Sequence, residues 1–333
     1  MRRATLQWRV TRKRLPGNYS PPMLPAFLST ILYSFSALFA QRTTRVLGGI
    51  TANFVRLVLA TLLLGLWAHG WGMGFHGPAQ PWLFVSGLVG FGIGDVALFQ
   101  GYPRLGSRLL IMMVHCLATP TAAVVEYAWL GTTLTAAQVL CILASISGVA
   151  LALAPGGRQS QPRHPEFRLG LLFGLIAMLG QSLGAVFSRK ANSVALALGG
   201  PVPDCITAAY QRIWGGLLVA TLTYILFLIR RRITRGEDSG IRQGNEPAAT
   251  RSQIAGWVVA NTLAGPVLGV SCFQWALANE KTGVVLPIVA LTPLVIIPIA
   301  HWMEGEKTSR REILGGGIAV AGVAALARIS HPG

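Results

Sequence analysis

Asp95 is a lone carboxylate within an uncharged run, GFGIGDVALFQ. A carboxylate so deep among apolar residues costs a few kcal/mol unless it faces a cavity, takes a proton or finds a partner. Its chemistry would be ion pairing, proton exchange or the binding of a cationic group. The plainer alternative is a hydrogen bond to a neighbouring helix. Arg56 in ANFVRLVLATLLLGL and Arg212 in AAYQRIWGGLLVATL each stand roughly a turn into an apolar segment. Positive charge near a helix N-terminus opposes the helix dipole, so propensity does not explain either one. Each could snorkel to lipid headgroups, pair with an acidic residue, or bind an anionic group on a ligand.

A second set lies further along. At helical spacing, Arg108, His115, Thr119 and Glu126 share one face of the segment 106–130. Arg108 and Glu126 stand about 27 Å apart along it, too far to pair. They give the face a polar path with His115 and Thr119 as steps. A polar stripe of this kind must face water or protein rather than lipid. The simpler roles are a back-bond to the helix for Thr119 and snorkelling for Arg108. Near the chain's other end, Asn261, Ser271 and Gln274 could give neutral polar contacts, and Trp275 could stack on a ligand. Gln100 answers Gln274 in a repeat described below. Interhelical hydrogen bonding is the competing role for these side chains. Gln181 and Tyr127 are weaker candidates. His301 and Glu304, three residues apart, suit interfacial hydrogen bonds.

No cofactor or metal site is expected. Cys116, Cys141, Cys205 and Cys272 are isolated, with no metal-ligand or disulfide spacing. There is no GxxxxGK[ST] loop for nucleotide phosphates and no HExxH.

The elements that hold these residues are helices long enough for a bilayer. Ten apolar segments are expected, at 22–41, 50–70, 80–101, 106–130, 134–154, 168–188, 206–230, 253–277, 282–303 and 312–328. Hydrophobic residues make up 52% of the chain and charged residues 12%. Mean hydropathy is +0.54. These values describe a polytopic all-α membrane protein. The net charge of +17 lies mainly in the N-terminal tail and the loops. That fits attraction to anionic headgroups, and no nucleic-acid partner is expected.

The chain also repeats itself. Phe99-Gln100 answers Phe273-Gln274, Pro120 answers Pro293, and Gly148-Val149-Ala150 answers Gly322-Val323-Ala324, an offset of 174 residues with slips of one. The reading is a basic tail at 1–22, a five-helix repeat at 23–154, a polar linker at 155–167 and a second five-helix repeat at 168–329. Five is odd, so the second copy enters the membrane with opposite orientation, and the repeat is inverted. Orientation is contested by the charges. Six Lys/Arg in the tail argue for an inside N-terminus, whereas the basic loops argue for the reverse. Ala144-xxx-Gly148-xxx-Ala152 and Gly317-xxx-Ala321-xxx-Ala325 are expected to be close-packing stripes on the two closing helices. Pro287, Pro293 and Pro298 predict a broken or curved ninth helix.

With these residues in place, the chain resembles the drug/metabolite transporter superfamily, EamA type, over roughly 24–328. The resemblance rests on Arg56 and Arg212, the glycine-rich third helix ending in Phe-Gln, the proline-bearing next helix, and WMEGEKTSRREILG with Glu306, Gly315 and Gly322. The first copy departs from it, with Thr132 in place of the glutamate and Cys141 in place of the glycine. The resemblance implies cytoplasmic termini, transport of a small metabolite, and a cavity lined by the third, fourth, eighth and ninth helices.

The leading expectation is therefore a secondary transporter rather than an enzyme, working by alternating access. Coupling to protons would run through Asp95 or Glu126, with His115 as relay. Its setting would be the bilayer of a bacterial inner membrane, as monomer or homodimer. The alternative is an integral-membrane enzyme or flippase acting on a lipid-linked substrate.

Overall fold

The computed structural model describes residues 23–130, 135–153, 165–233, 249–280, 282–304 and 309–330, and every described element is helical. Within those stretches, the side chains of 123, 126–130, 153, 283–284, 297, 303–304, 327 and 330 fall outside the description. Thr132 and Glu306 fall outside it altogether. Within the described residues the expected apolar segments are mostly helical, the ninth being broken into two helices. Among the described residues, seven helices are long and apolar enough to cross a membrane by length and composition.

The first half begins with α1 (Leu24–Leu47), which carries Pro25 in its first turn, where a missing N–H costs nothing. Gly48, at φ 76°, turns the chain directly into α2 (Gly49–Gly70). Then α3 (Gln80–Gly87) runs through a π-helical stretch, Leu88–Gly94, into α4 (Asp95–Leu130). Gly106, at φ 75°, breaks α4 into two arms, 95–105 and 107–130. A residue with a Cβ would be strained there, so this glycine makes the reversal. The helix α5 (Ala136–Leu153) closes the half.

The second half holds α6 (Phe167–Ala197), α7 (Cys205–Ile233) and α8 (Arg251–Thr262). Thr250 and Gln253 form a capping box at the start of α8. A second π-helical stretch, Leu263–Val267, leads into α9 (Leu268–Asn279). Next come α10 (Thr282–Val289), α11 (Thr292–Glu304) and α12 (Arg310–Ser330). The proline-rich ninth segment is broken at 290–291, between α10 and α11. By contrast, α6 runs nine residues beyond its expected end at 188, because RKANSVALA keeps helix-forming residues and has no breaker.

The two π stretches occupy matching places in the two halves, one over a glycine run and one over Pro266. A π-turn widens the helix locally and is common at functional sites. Other contacts are reciprocal too. Ser145 Oγ donates to the Ala319 carbonyl at 3.3 Å, and Cys116 Sγ reaches the Ala290 carbonyl at 3.8 Å; both pairs are 174 residues apart. A Cβ on Gly148 would lie 2.6 Å from the Gly315 carbonyl, and one on its mate Gly322 would lie 2.9 Å from the Cys141 carbonyl. Residues that meet their own repeat mates lie near an axis relating the halves. The packing face of α12 is thus Gly315, Ala319 and Gly322. The expected stripe of Gly317, Ala321 and Ala325 instead turns outward, and Gly317 has open space beside it.

The first helix of each half packs on the other half. Ser29, Thr30 and Ser34 of α1 bond their own helix and also donate to the carbonyls of Gly269, Ile288 and Thr292, at 3.2, 3.0 and 3.4 Å. Ser86, just before the first π stretch, donates to the Gly184 carbonyl of α6 at 2.6 Å. Hydroxyls of this kind join helices where apolar burial cannot. The outer faces carry exposed leucines such as Leu62, Leu66, Leu140, Leu222 and Leu226, which suits a lipid-facing surface.

Candidate functional site

A narrow cavity opens at the centre, between the two π stretches. Its wall takes Tyr33 and Ser36 from α1, Arg56 from α2, and Gly90, Phe91, Gly94, Asp95 and Tyr102 from the third span. His115, Gln181, Arg212 and Gly265 complete the polar and glycine lining. So the third, fourth and eighth spans contribute as expected. The ninth contributes nothing to this wall, whereas α1, α2, α6 and α7 do.

Two arginines dominate it. Arg56 is 5% exposed and Arg212 is 3% exposed. Arg56 is well supplied. Its Nη2 pairs with Asp95 Oδ2 and donates to Asn53 Oδ1 at 3.0 Å, one turn back on α2. Its guanidinium lies 4.5 Å from the centre of the Phe99 ring. Arg212 has the aromatic contacts alone, with Phe91 at 4.9 Å and Phe273 at 5.9 Å. Among the described residues it makes no hydrogen bond and no ion pair, and its Nε is buried without a partner. A buried, unpaired charge is held against a penalty of several kcal/mol. Cation–π contacts return only part of that.

Close packing of glycines places both arginines. A Cβ at Gly87 would overlap the Arg212 carbonyl, and one at Gly216 would overlap Phe91. These contacts bring α7 onto the third span. At the guanidinium itself, a Cβ on either Gly90 or Gly184 would sit 2.7 Å from Nη2. Across the pseudo-axis, a Cβ on Gly265 would sit 3.2 Å from Arg56 Nη1. Each half's arginine therefore lies against a glycine of the other half's π stretch.

His115 is buried and stacks on Tyr33, with ring centroids 5.9 Å apart. Among the described residues its polar stripe is not continuous. Arg108 lies 3.7 Å from Glu312 on α12. Thr119 does not back-bond as expected, and its buried Oγ1 has no partner. The Glu126 and Tyr127 side chains, like that of Glu304, lie outside the described residues.

The remaining candidates stand off the wall. Gln100 accepts from Arg104 at 3.2 Å. Gln274 donates to Ser188 at 3.1 Å, and Ser271 donates to its own helix at Val267. Trp275 is partly exposed and makes no part of the lining. Asn261 is one step behind the cavity, accepting from Ser36 at 2.8 Å. The wall residues Tyr33 and Tyr102 are additions; as tyrosines in apolar helices they carried no distinguishing signal.

Gly180-Gln181-Ser182-Leu183-Gly184 has the GxSxG spacing of hydrolase nucleophiles. That chemistry needs a strand-to-helix elbow, and here the five residues lie within continuous α6. Its glycines are packing surfaces against Gly94 and Arg212. No cluster of His, Cys, Asp and Glu able to hold a metal occurs among the described residues.

Comparison with known proteins agrees with the repeat. The model of the EamA-like transporter family matches twice, over residues 21–154 and 168–328. A crystal structure is similar over 93% of this chain and 98% of its own, with a TM-score of 0.61 and 18% sequence identity. At that identity the likeness shows a shared fold alone. No curated protein matches the sequence.

Proposed function

Because the chain belongs to the EamA-like transporter family, we propose that it is a secondary transporter that carries a small metabolite by alternating access. The observation that supports this is the central cavity, to which each half contributes a buried arginine set against the other half's π stretch. Rocking one half on the other would expose that cavity to either side. In this reading ten helices cross the membrane as two inverted five-helix units, 23–154 and 168–329, with a polar linker at 155–167 and a basic tail at 1–22. The membrane is a bacterial inner membrane.

Coupling to protons would work through Asp95. While ionised it holds Arg56; a proton taken up from one side would release that arginine and loosen the wall. His115 lines the same cavity and, in this reading, would relay the proton. The test is uptake into liposomes containing the purified protein, with and without an imposed pH gradient. Uphill accumulation lost in Asp95→Asn supports coupled transport. Gradient-independent uptake refutes the coupling and leaves a facilitator. No uptake of any small metabolite from a broad panel refutes transport.

A further inference from the structure

We propose that Arg212 anchors an anion-binding subsite in the central cavity. The molecule it receives carries a carboxylate or phosphate on a small apolar or aromatic body. Calling that molecule the transported substrate rests on the transport reading above; the binding site does not.

Four observations lead to this. First, the repeat duplicates the arginine and its ring but not the counter-ion. Phe99 beneath Arg56 has its mate in Phe273 beneath Arg212. The position 174 residues after Asp95 is Gly269. Second, the space a side chain would need at Gly269 is taken, because a Cβ there would lie 2.8 Å from the Tyr33 ring. No carboxylate of this chain can serve Arg212 from that place. Third, the wall holds unmet donors. The buried polar atoms on its wall without partners are Arg56 Nε, Arg212 Nε and Gln181 Nε2, all donors. With Asp95 matched to Arg56, the wall retains one uncompensated positive charge. A cationic ligand would meet repulsion from it. An anion would satisfy both deficits. Fourth, Gly90 and Gly184 pack against Nη2 and hold the guanidinium at the cavity wall, which Arg212 lines, so a ligand in the cavity meets it. Phe91, Tyr33 and His115 offer the flat apolar surfaces that the ligand's body would contact.

The test uses the full chain in a non-ionic detergent. It is titrated with benzoate, benzamide and benzylamine, which place an anion, a neutral group and a cation on the same ring. Inorganic phosphate and phosphatidylglycerol micelles form two further arms. Thermal midpoints and heats of binding are read. Benzoate or phosphate should raise the midpoint, while benzamide and benzylamine should not. The stronger of the two anions identifies the headgroup chemistry. A response to phosphatidylglycerol alone would assign the site to a lipid headgroup and overturn the substrate claim.

Arg212→Gln should weaken anion binding by at least about tenfold. Arg212→Lys should keep part of it, as a point charge without the guanidinium fork. Without ligand, Arg212→Gln should melt at the wild-type temperature or above, since it removes an unpaired charge. A purely structural arginine would do the opposite. Should Arg212→Gln fail to fold, Gly90→Ala crowds Nη2 while keeping the charge, and it should lower anion affinity. Preference for benzylamine, an anion response undiminished in these variants, or no response to either anion overturns the proposal. Binding without uptake in liposomes would retire the transport reading and leave the anion site standing. Uptake of cations with no anion binding would do the reverse.

Discussion

Arg56 and Arg212 are the same residue in two copies of one unit, and they live under different conditions. Both are buried, both lie over a phenylalanine at matching repeat positions, and both touch a glycine of the opposite π stretch. Among the described residues, Arg56 has a carboxylate and Arg212 has none. The duplicated fold sets the shared features, because backbone packing and ring positions follow from the repeat. Asp95 and Tyr33 set the difference. Tyr33 fills the space beside Gly269 that a second carboxylate would need, so the asymmetry is built into the packing around the site. A symmetric scaffold thus carries a site that is neutral on one side and positive on the other.

The strongest test of this comparison removes the paired arginine. Arg56→Met leaves Asp95 without its partner, and losing one member of a buried pair costs about 3–5 kcal/mol. The thermal midpoint should fall steeply, and Asp95→Leu in the same chain should recover much of the loss. If Arg56→Met and Arg212→Met destabilise equally, the two arginines are equivalent and the comparison fails.

A somewhat smaller effect is expected where the halves are alike. Gly148→Leu and Gly322→Leu place side chains into mated contacts between α5 and α12. Overpacking of this kind costs about 1–3 kcal/mol. The two variants should cost similar amounts, because each meets the equivalent backbone of the other half. Gly317→Leu, which faces open space, should cost far less. A large loss at Gly317 would restore the outward stripe as the true contact.

Much of the scaffold was legible from residue types alone. Hydropathy located the apolar helical segments, and Phe-Gln, proline and glycine matches exposed the repeat. Arg56, Asp95, His115 and Arg212 stood out because a charged or titratable group in an apolar helix demands a reason. The partner of each did not stand out. Whether Asp95 served Arg56 or Arg212 depended on helix rotations that periodicity leaves free. Gln274, Ser271 and Asn261 looked like ligand contacts because interhelical hydrogen bonds use the same side chains. Tyr33 and Tyr102 were invisible for the converse reason, since an aromatic in a membrane helix is usually packing. On α12, where glycine and alanine are abundant on two faces, the small-residue pattern could not select the one that packs.

The smallest effects should come from the glutamines that the repeat also pairs. Gln100 and Gln274 occupy matching positions beside Phe99 and Phe273, close in sequence to the arginine rings yet off the cavity wall. Gln100 bonds Arg104 within its own span, and Gln274 bonds Ser188 on α6. Neither bond touches the charge that distinguishes the two sides. Gln100→Ala loses a partly exposed contact and should shift stability by no more than about 0.5 kcal/mol. Gln274→Ala loses a buried bond but also removes an Oε1 that has no partner, so its net cost should stay near 1 kcal/mol. In both variants the relative response to benzoate and benzylamine should match wild type. A change in that selectivity from either glutamine would move the site from the arginines toward the third or the eighth span, and the contrast between paired and unpaired arginine would no longer explain it.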